Sequence, residues 1–199
     1  MSSSFIPGAT ALGMIYSDGI ILAADRRASY GTFILSKNAR KVFKITDTIG
    51  LSSAGVISDT QTIVREAKYG ASMFKLQTNR EMNAKALAKF ISNILFSNRL
   101  APLFTELIVG GFDKGEKSIL VLDALGSVIE DKYAAAGSGS ELALGILEAT
   151  YRDGMSYDEA KSQVLKTIRS ALERDSASGN GIDMLFISKE KAWEEFVPV

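Results

Sequence analysis

Along this 199-residue chain, segments with strand-like alternation and segments with helix-like spacing come in pairs, and that order limits the folds open to it. Leu12 to Tyr16 and Ile20 to Ala24 are apolar runs flanking Ser17-Asp18-Gly19, a tight-turn sequence in which Gly accepts positive φ, so they form a hairpin. Short strands are expected around Thr32 to Leu35 and Ile49 to Ala54. Ser58 or Asp59 can then cap a helix running toward Lys75, with Ile63, Val64, Ala67, Ala71 and Phe74 at helical intervals. A second helix is expected from Asn83 to about Ser97, where Leu87, Ile91 and Leu95 lie on a broad apolar face. Strands return at Glu106 to Phe112, Ser118 to Asp123 and Gly126 to Tyr133. Helices follow at Glu141 to Tyr151 and Tyr157 to Glu173, then a strand at Ile182 to Ser188.

The order ββ, αα, ββ, αα, β does not alternate, which argues against a doubly wound parallel sheet. Two antiparallel sheets packed face to face, each with a helical layer outside, would bury these faces: an α+β, four-layer αββα sandwich. No internal repeat or composition shift divides the chain, so we expect a leader-like segment at 1–8 and one domain at 9–199. The tail from Lys191 to Val199 carries Trp193, Phe196 and Val197, and it is equally expected to fold onto its own domain or to reach a neighbour.

Two absences narrow the chemistry. The chain has no Cys and no His, which excludes a disulfide framework, a thiol nucleophile, a His-based triad and any zinc site built from those residues. A hydrolase made from this sequence must use a Ser or Thr hydroxyl, with Lys, a carboxylate or an α-amine as proton partner. Lys plus Arg equals Asp plus Glu at 23 each, so no net field steers the chain to nucleic acid or an anionic membrane. The first eight residues lack the basic start and apolar stretch of a signal peptide, and a cytoplasmic location is expected. Gly110-Gly111 and Gly137-Ser-Gly139 lack the Lys-Ser/Thr of a nucleotide P-loop.

Five short stretches resemble one family in order and interval. They are Asp18 to Arg27, Lys37 to Lys41, Ser53-Ala-Gly55, Gly137-Ser-Gly-Ser140 and Arg174 to Gly179, and they look like the landmarks of proteasome β subunits, particularly the archaeal ones. The likeness runs from about Ala9 to about Ile187. It implies the N-terminal-nucleophile hydrolase fold, in which a leader is removed by self-cleavage and the freed N-terminal threonine attacks a peptide bond. It also implies heptameric β rings capped by α-type subunits, with an ATPase regulatory complex feeding polypeptide substrates, and no metal or organic cofactor.

By position, Asp25, Lys41, Ser138, Asp175 and Ser178 match the family's supporting catalytic residues. A threonine hydroxyl is a poor nucleophile at neutral pH. A nearby Lys lowers the cost of forming the alkoxide and carboxylates orient that Lys. The resemblance gives Asp175 and the two serines the task of positioning the terminal amine, and gives the Ala54-Gly55 backbone that of an oxyanion donor. It places Ala28, Ser29, Phe43, Ser53, Gly55 and Ile57 at the substrate, with Ala28, Phe43, Ser53 and Ile57 as the wall of a fairly neutral, apolar first specificity pocket. Singly, each residue has an ordinary reading, such as an end-of-strand ion pair for Asp25 or a helix-end turn for Asp175. The ordered set does not.

The pattern breaks at the nucleophile. Counting back from Gly13 without a gap puts Ala9, preceded by Gly8, where the family has threonine, while Thr10 stands one residue on. One step along a strand reverses the side chain's face, so Thr10 reaches Lys41 only if a bulge or shortened strand absorbs the offset. In the preferred reading the chain is a non-catalytic or weakly catalytic ring subunit that keeps its leader. In a second, cleavage falls between Ala9 and Thr10 and Thr10 is the nucleophile; in a third, Ala9 is an engineered substitution that traps the precursor. A stand-alone binding module of sandwich fold is the alternative from another class.

Overall fold

A computed structural model describes residues 8–199; the expected leader, apart from Gly8, lies outside the described residues. The strands are β1 (Ala11–Tyr16), β2 (Gly19–Asp25), β3 (Ala28–Tyr30), β4 (Phe33–Ser36), β5 (Val42–Lys44) and β6 (Ile49–Gly55), then β7 (Thr105–Asp113), β8 (Glu116–Leu122), β9 (Val128–Asp131), β10 (Tyr133–Ala136), β11 (Ile182–Ser188) and β12 (Ala192–Val197). The helices are α1 (Ile57–Thr78), α2 (Ala84–Ser97), α3 (Ser140–Thr150) and α4 (Tyr157–Leu172). One antiparallel five-stranded sheet runs β10-β1-β2-β11-β12 and the other β5-β6-β7-β8-β9, with β3 and β4 as a separate ribbon.

Alternation along the strands builds three apolar layers from these two sheets. Ala11, Ile20, Leu22, Leu185 and Ile187 point from the first sheet toward Val42, Ala54, Ile108 and Ile119 of the second. Leu12, Met14, Tyr16, Ile21, Ala23, Met184 and Phe186, the intervening residues, pack on Leu147 of α3 and Ala160, Val164 and Ile168 of α4. On the far side, Leu51, Leu107, Val109 and Leu122 meet Ile63 and Ala67 of α1 and Leu87, Ile91 and Leu95 of α2. The result is the expected αββα sandwich.

Three details depart from the sequence reading, and the tail takes one of the two places expected for it. No side chain caps α1, which starts at Ile57 after Val56; Asp59 accepts instead from the Phe104 N–H at 2.9 Å. The segment expected as one strand from Gly126 to Tyr133 is two, because the chain leaves one sheet after Asp131 and enters the other at Tyr133. Short strands β3 and β5 carry too few residues to show a period. The tail folds onto its own domain as β12, paired along β11, with Trp193 stacked on Phe186 at 5.0 Å between centroids.

Candidate active site

The hairpin of β1 and β2 is in unbroken register from Tyr16 opposite Gly19 to Ala11 opposite Ala24. Beyond Ala11 the pairing continues for one bond, from Asp25 N–H to the Thr10 carbonyl, and the return bond goes to a side chain: Thr10 N–H donates to Asp25 Oδ1 at 3.0 Å. Asp25 is fully buried and accepts four hydrogen bonds. Its Oδ1 also takes Lys41 Nζ at 2.7 Å, and its Oδ2 takes the N–H groups of Arg27 and Gly179, both at 2.8 Å. A carboxylate so supplied with donors fixes what surrounds it.

Lys41 is as deeply buried as its partner, and its ammonium also donates to the Arg27 carbonyl at 2.6 Å. Burial holds its amine below the ordinary lysine value, opposed by the adjacent Asp25 and, more weakly, by Asp175. An amine with a lowered proton affinity, beside a cavity, is what proton transfer to and from a hydroxyl requires. Lys41 lines a cavity of about 220 Å³ together with Ala28, Ser29, Gly55 and Ile57. Phe43 and Ser53, expected at the same wall, are not among its lining residues. Phe43 packs against the core beneath α1 and α2, and the Ser53 hydroxyl donates to the Lys41 carbonyl at 3.3 Å. Tyr30, Leu35 and Val56 line it unforeseen; the β3-β4 ribbon brings the first two there, and of that ribbon only β4 was expected as a strand.

The second group forms around the loop after α4. Asp175 Oδ2 accepts from Ser138 Oγ and from Ser178 Oγ, each at 2.6 Å. Ser138 Oγ in turn accepts the Ala9 N–H at 3.1 Å. Thr10 Oγ1 lies 2.8 Å from Ser178 Oγ, whose proton is already directed at Asp175, so the threonine is the donor. Both residues at the head of β1 are thus tied to Asp175, Ala9 by its backbone and Thr10 by its side chain.

The positions of Ala9 and Thr10 follow the two-residue period. Ala9 belongs with Ala11 to the layer between the sheets. Thr10 is fully buried, and its hydroxyl faces the start of α3, where a Cβ on Gly139 would stand 2.0 Å from it. Gly137 (φ +90°) brings the preceding turn against the chain, and its absent Cβ would be 2.2 Å from the Ala9 carbonyl oxygen. No bulge shifts the register, and Thr10 Oγ1 makes no hydrogen bond with Lys41. The five supporting residues expected from the sequence are therefore brought together around the head of β1, with Ala9 among them and the Thr10 hydroxyl turned toward Ser178.

Comparison with known proteins bears on this arrangement. A family model described as "Proteasome subunit" matches residues 7–187. A protein named "Proteasome subunit beta 1" from Staphylothermus marinus is 46% identical over 187 residues, covering 94% of this chain and 87% of that protein. "Proteasome subunit beta 2" from Pyrobaculum neutrophilum is 41% identical over 199 residues, 100% of this chain and 98% of that protein. "Proteasome subunit beta 1" from Ignicoccus hospitalis is 46% identical over 181 residues, 91% of each chain.

Proposed function

The chain belongs to the proteasome subunit family as a β-type subunit of the 20S core, and from that premise we propose that it is a non-catalytic or weakly catalytic member of its ring. The observation that carries this reading is the direction of the Thr10 hydroxyl. It is the one alcohol at the head of β1, it is fully buried, and its proton goes to Ser178 and not to Lys41, while the residue on the inter-sheet side of the strand is Ala9. Without an oxygen there, neither self-cleavage after Gly8 nor attack on a substrate carbonyl has a nucleophile.

In this reading the Lys41–Asp25 pair and the Asp175 cluster are kept because they hold the fold together: they fill a dry region with mutually satisfied charges and hydroxyls. The chain supplies wall and contacts to a threonine-type endopeptidase whose cutting is done by another β subunit, with α-type subunits at either end and an ATPase complex delivering unfolded polypeptide. Residues 1–8 are its retained leader and 9–199 its domain. The particle is read as cytoplasmic. No helix among the described residues is long and apolar enough to cross a membrane.

The test is peptidase activity of particles assembled with this chain as the sole β type. Stacked rings that hydrolyse no fluorogenic peptide are expected. Normal hydrolysis would overturn the reading in favour of Thr10 as nucleophile, and failure to enter any stacked ring would remove the architectural role.

A further inference from the structure

Tyr16 closes β1 at the end remote from Ala9, and it is 2% exposed. Among the described residues nothing hydrogen-bonds to its hydroxyl. A buried phenol ordinarily has a hydrogen-bond partner, and among the described residues no side-chain oxygen is both sealed from solvent and unpartnered. The oxygen is not sealed in apolar packing, however, since Tyr16 lines a cavity of about 720 Å³ at this end of the sandwich. Gly19, across the hairpin, leaves it uncovered: a Cβ there would lie 2.9 Å from the hydroxyl. Burial and the nearby Asp18 push its pKa up to about 12, so it is a donor at neutral pH.

A second donor stands in the same wall. Lys117 Nζ is anchored by the carbonyls of Tyr16 at 3.1 Å and Ser17 at 2.6 Å, which uses two of the three hydrogens of an ammonium. The opposing surface is aromatic: Phe112, Trp193 and Tyr157 line the cavity, and Tyr157 offers only its ring because its hydroxyl donates to Glu195 at 2.8 Å. Asp18 and Glu190 also line it, as do Lys189 and Lys191; these four charges offset one another and leave that of Lys117 to be met by a singly charged anion.

We propose that this cavity is a ligand site, separate from the one at Lys41, for a small organic monocarboxylate with an aromatic body. One oxygen receives the Tyr16 hydroxyl and the other the Lys117 ammonium, while the ring lies against Trp193 and Phe112. The volume is in the range of sites for such molecules, about 300–1,000 Å³, and the mixture of apolar walls with a few convergent donors is theirs.

Trp193 is the chain's one tryptophan, so its fluorescence in the full chain reports the site. Titration with 3-phenylpropionate is expected to give a saturable change. The affinity should fall about tenfold in Tyr16→Phe, and about as much when neutral 3-phenylpropanamide replaces the acid. The variant loses an oxygen that no protein group uses, so its fold is preserved. No saturation with the acid, equal affinity in Tyr16→Phe, or equal binding of the amide would each overturn the proposal and leave solvent as the partner of Tyr16.

Discussion

The hydroxyl of Thr10 lies 2.8 Å from that of Ser178, and through it Thr10 is joined to Asp175 rather than to Lys41. A one-residue difference in register thereby separates an alcohol from the amine that could activate it. The Lys41–Asp25 pair and the Asp175 cluster both gather round the head of β1, and in the proposed reading the activity of this chain turns on a single side chain there.

Restoring that side chain should restore chemistry. In particles built with the Ala9→Thr variant, a hydroxyl is placed on the inter-sheet side of the strand, away from the side to which Thr10 is turned, and the backbone nitrogen of residue 9 is already held by Ser138. The expected outcome is cleavage after Gly8 and new peptidase activity, at least about a hundredfold above the parent chain, as positioned acid–base groups contribute. Lys41→Ala in the same background should abolish both. Fluorogenic peptide assays of the three particles check this.

Thr10→Val keeps the shape of the side chain and removes the hydroxyl. If Thr10 serves only to hold Ser178, peptidase activity of a particle with an active partner subunit is unchanged. Stability falls by about 1 kcal/mol, the net worth of a buried neutral hydrogen bond. Denaturant midpoints alongside activity measure the two effects separately.

Lys41→Met leaves Asp25 buried without its counter-ion, although three backbone N–H groups still hold the carboxylate. The cost should be about 3 kcal/mol. It also changes the pH dependence of stability. An unfolded lysine titrates near 10.5, and burial lowers the folded value. Between the two, the unfolded chain holds more protons, so stability rises with pH through that window and levels off above 10.5. Denaturant midpoints of the parent chain should therefore climb relative to those of Lys41→Met as alkaline pH approaches that limit.

Removing residues 192–199 strips β12 from β11 and takes away Trp193, whose ring stacks on Phe186. It also removes Phe196, over which the Arg26 guanidinium sits at 4.0 Å. The truncated chain should fail to fold as a monomer, not merely to assemble. A soluble, cooperatively melting truncation that is defective only in ring formation would show that β12 serves a neighbour.

The layer order was legible because helical and strand periods are set by burial on one face. The β1-β2 hairpin, α2 with its Asn83 cap and β11 lie within a residue or two of where the pattern puts them. The change of sheet at Lys132 was not legible, since the residues of β9 are exposed and carry no burial alternation. Of the cavity beside Lys41, Ala28, Ser29, Gly55 and Ile57 were expected from the resemblance, whereas Tyr30 and Leu35 were not, because their place depends on how the β3-β4 ribbon lies over the sandwich. The supporting residues came from motifs in order, whereas the fate of Thr10 needed the unbroken register and the small residues Gly137 and Gly139 around it.

The most direct measurement is the intact mass of this chain recovered from assembled, active particles. The account predicts a polypeptide that still carries Gly8 and residues before it, unlabelled by an epoxyketone that modifies its partner subunit. A chain beginning at Thr10 and carrying the label would contradict it.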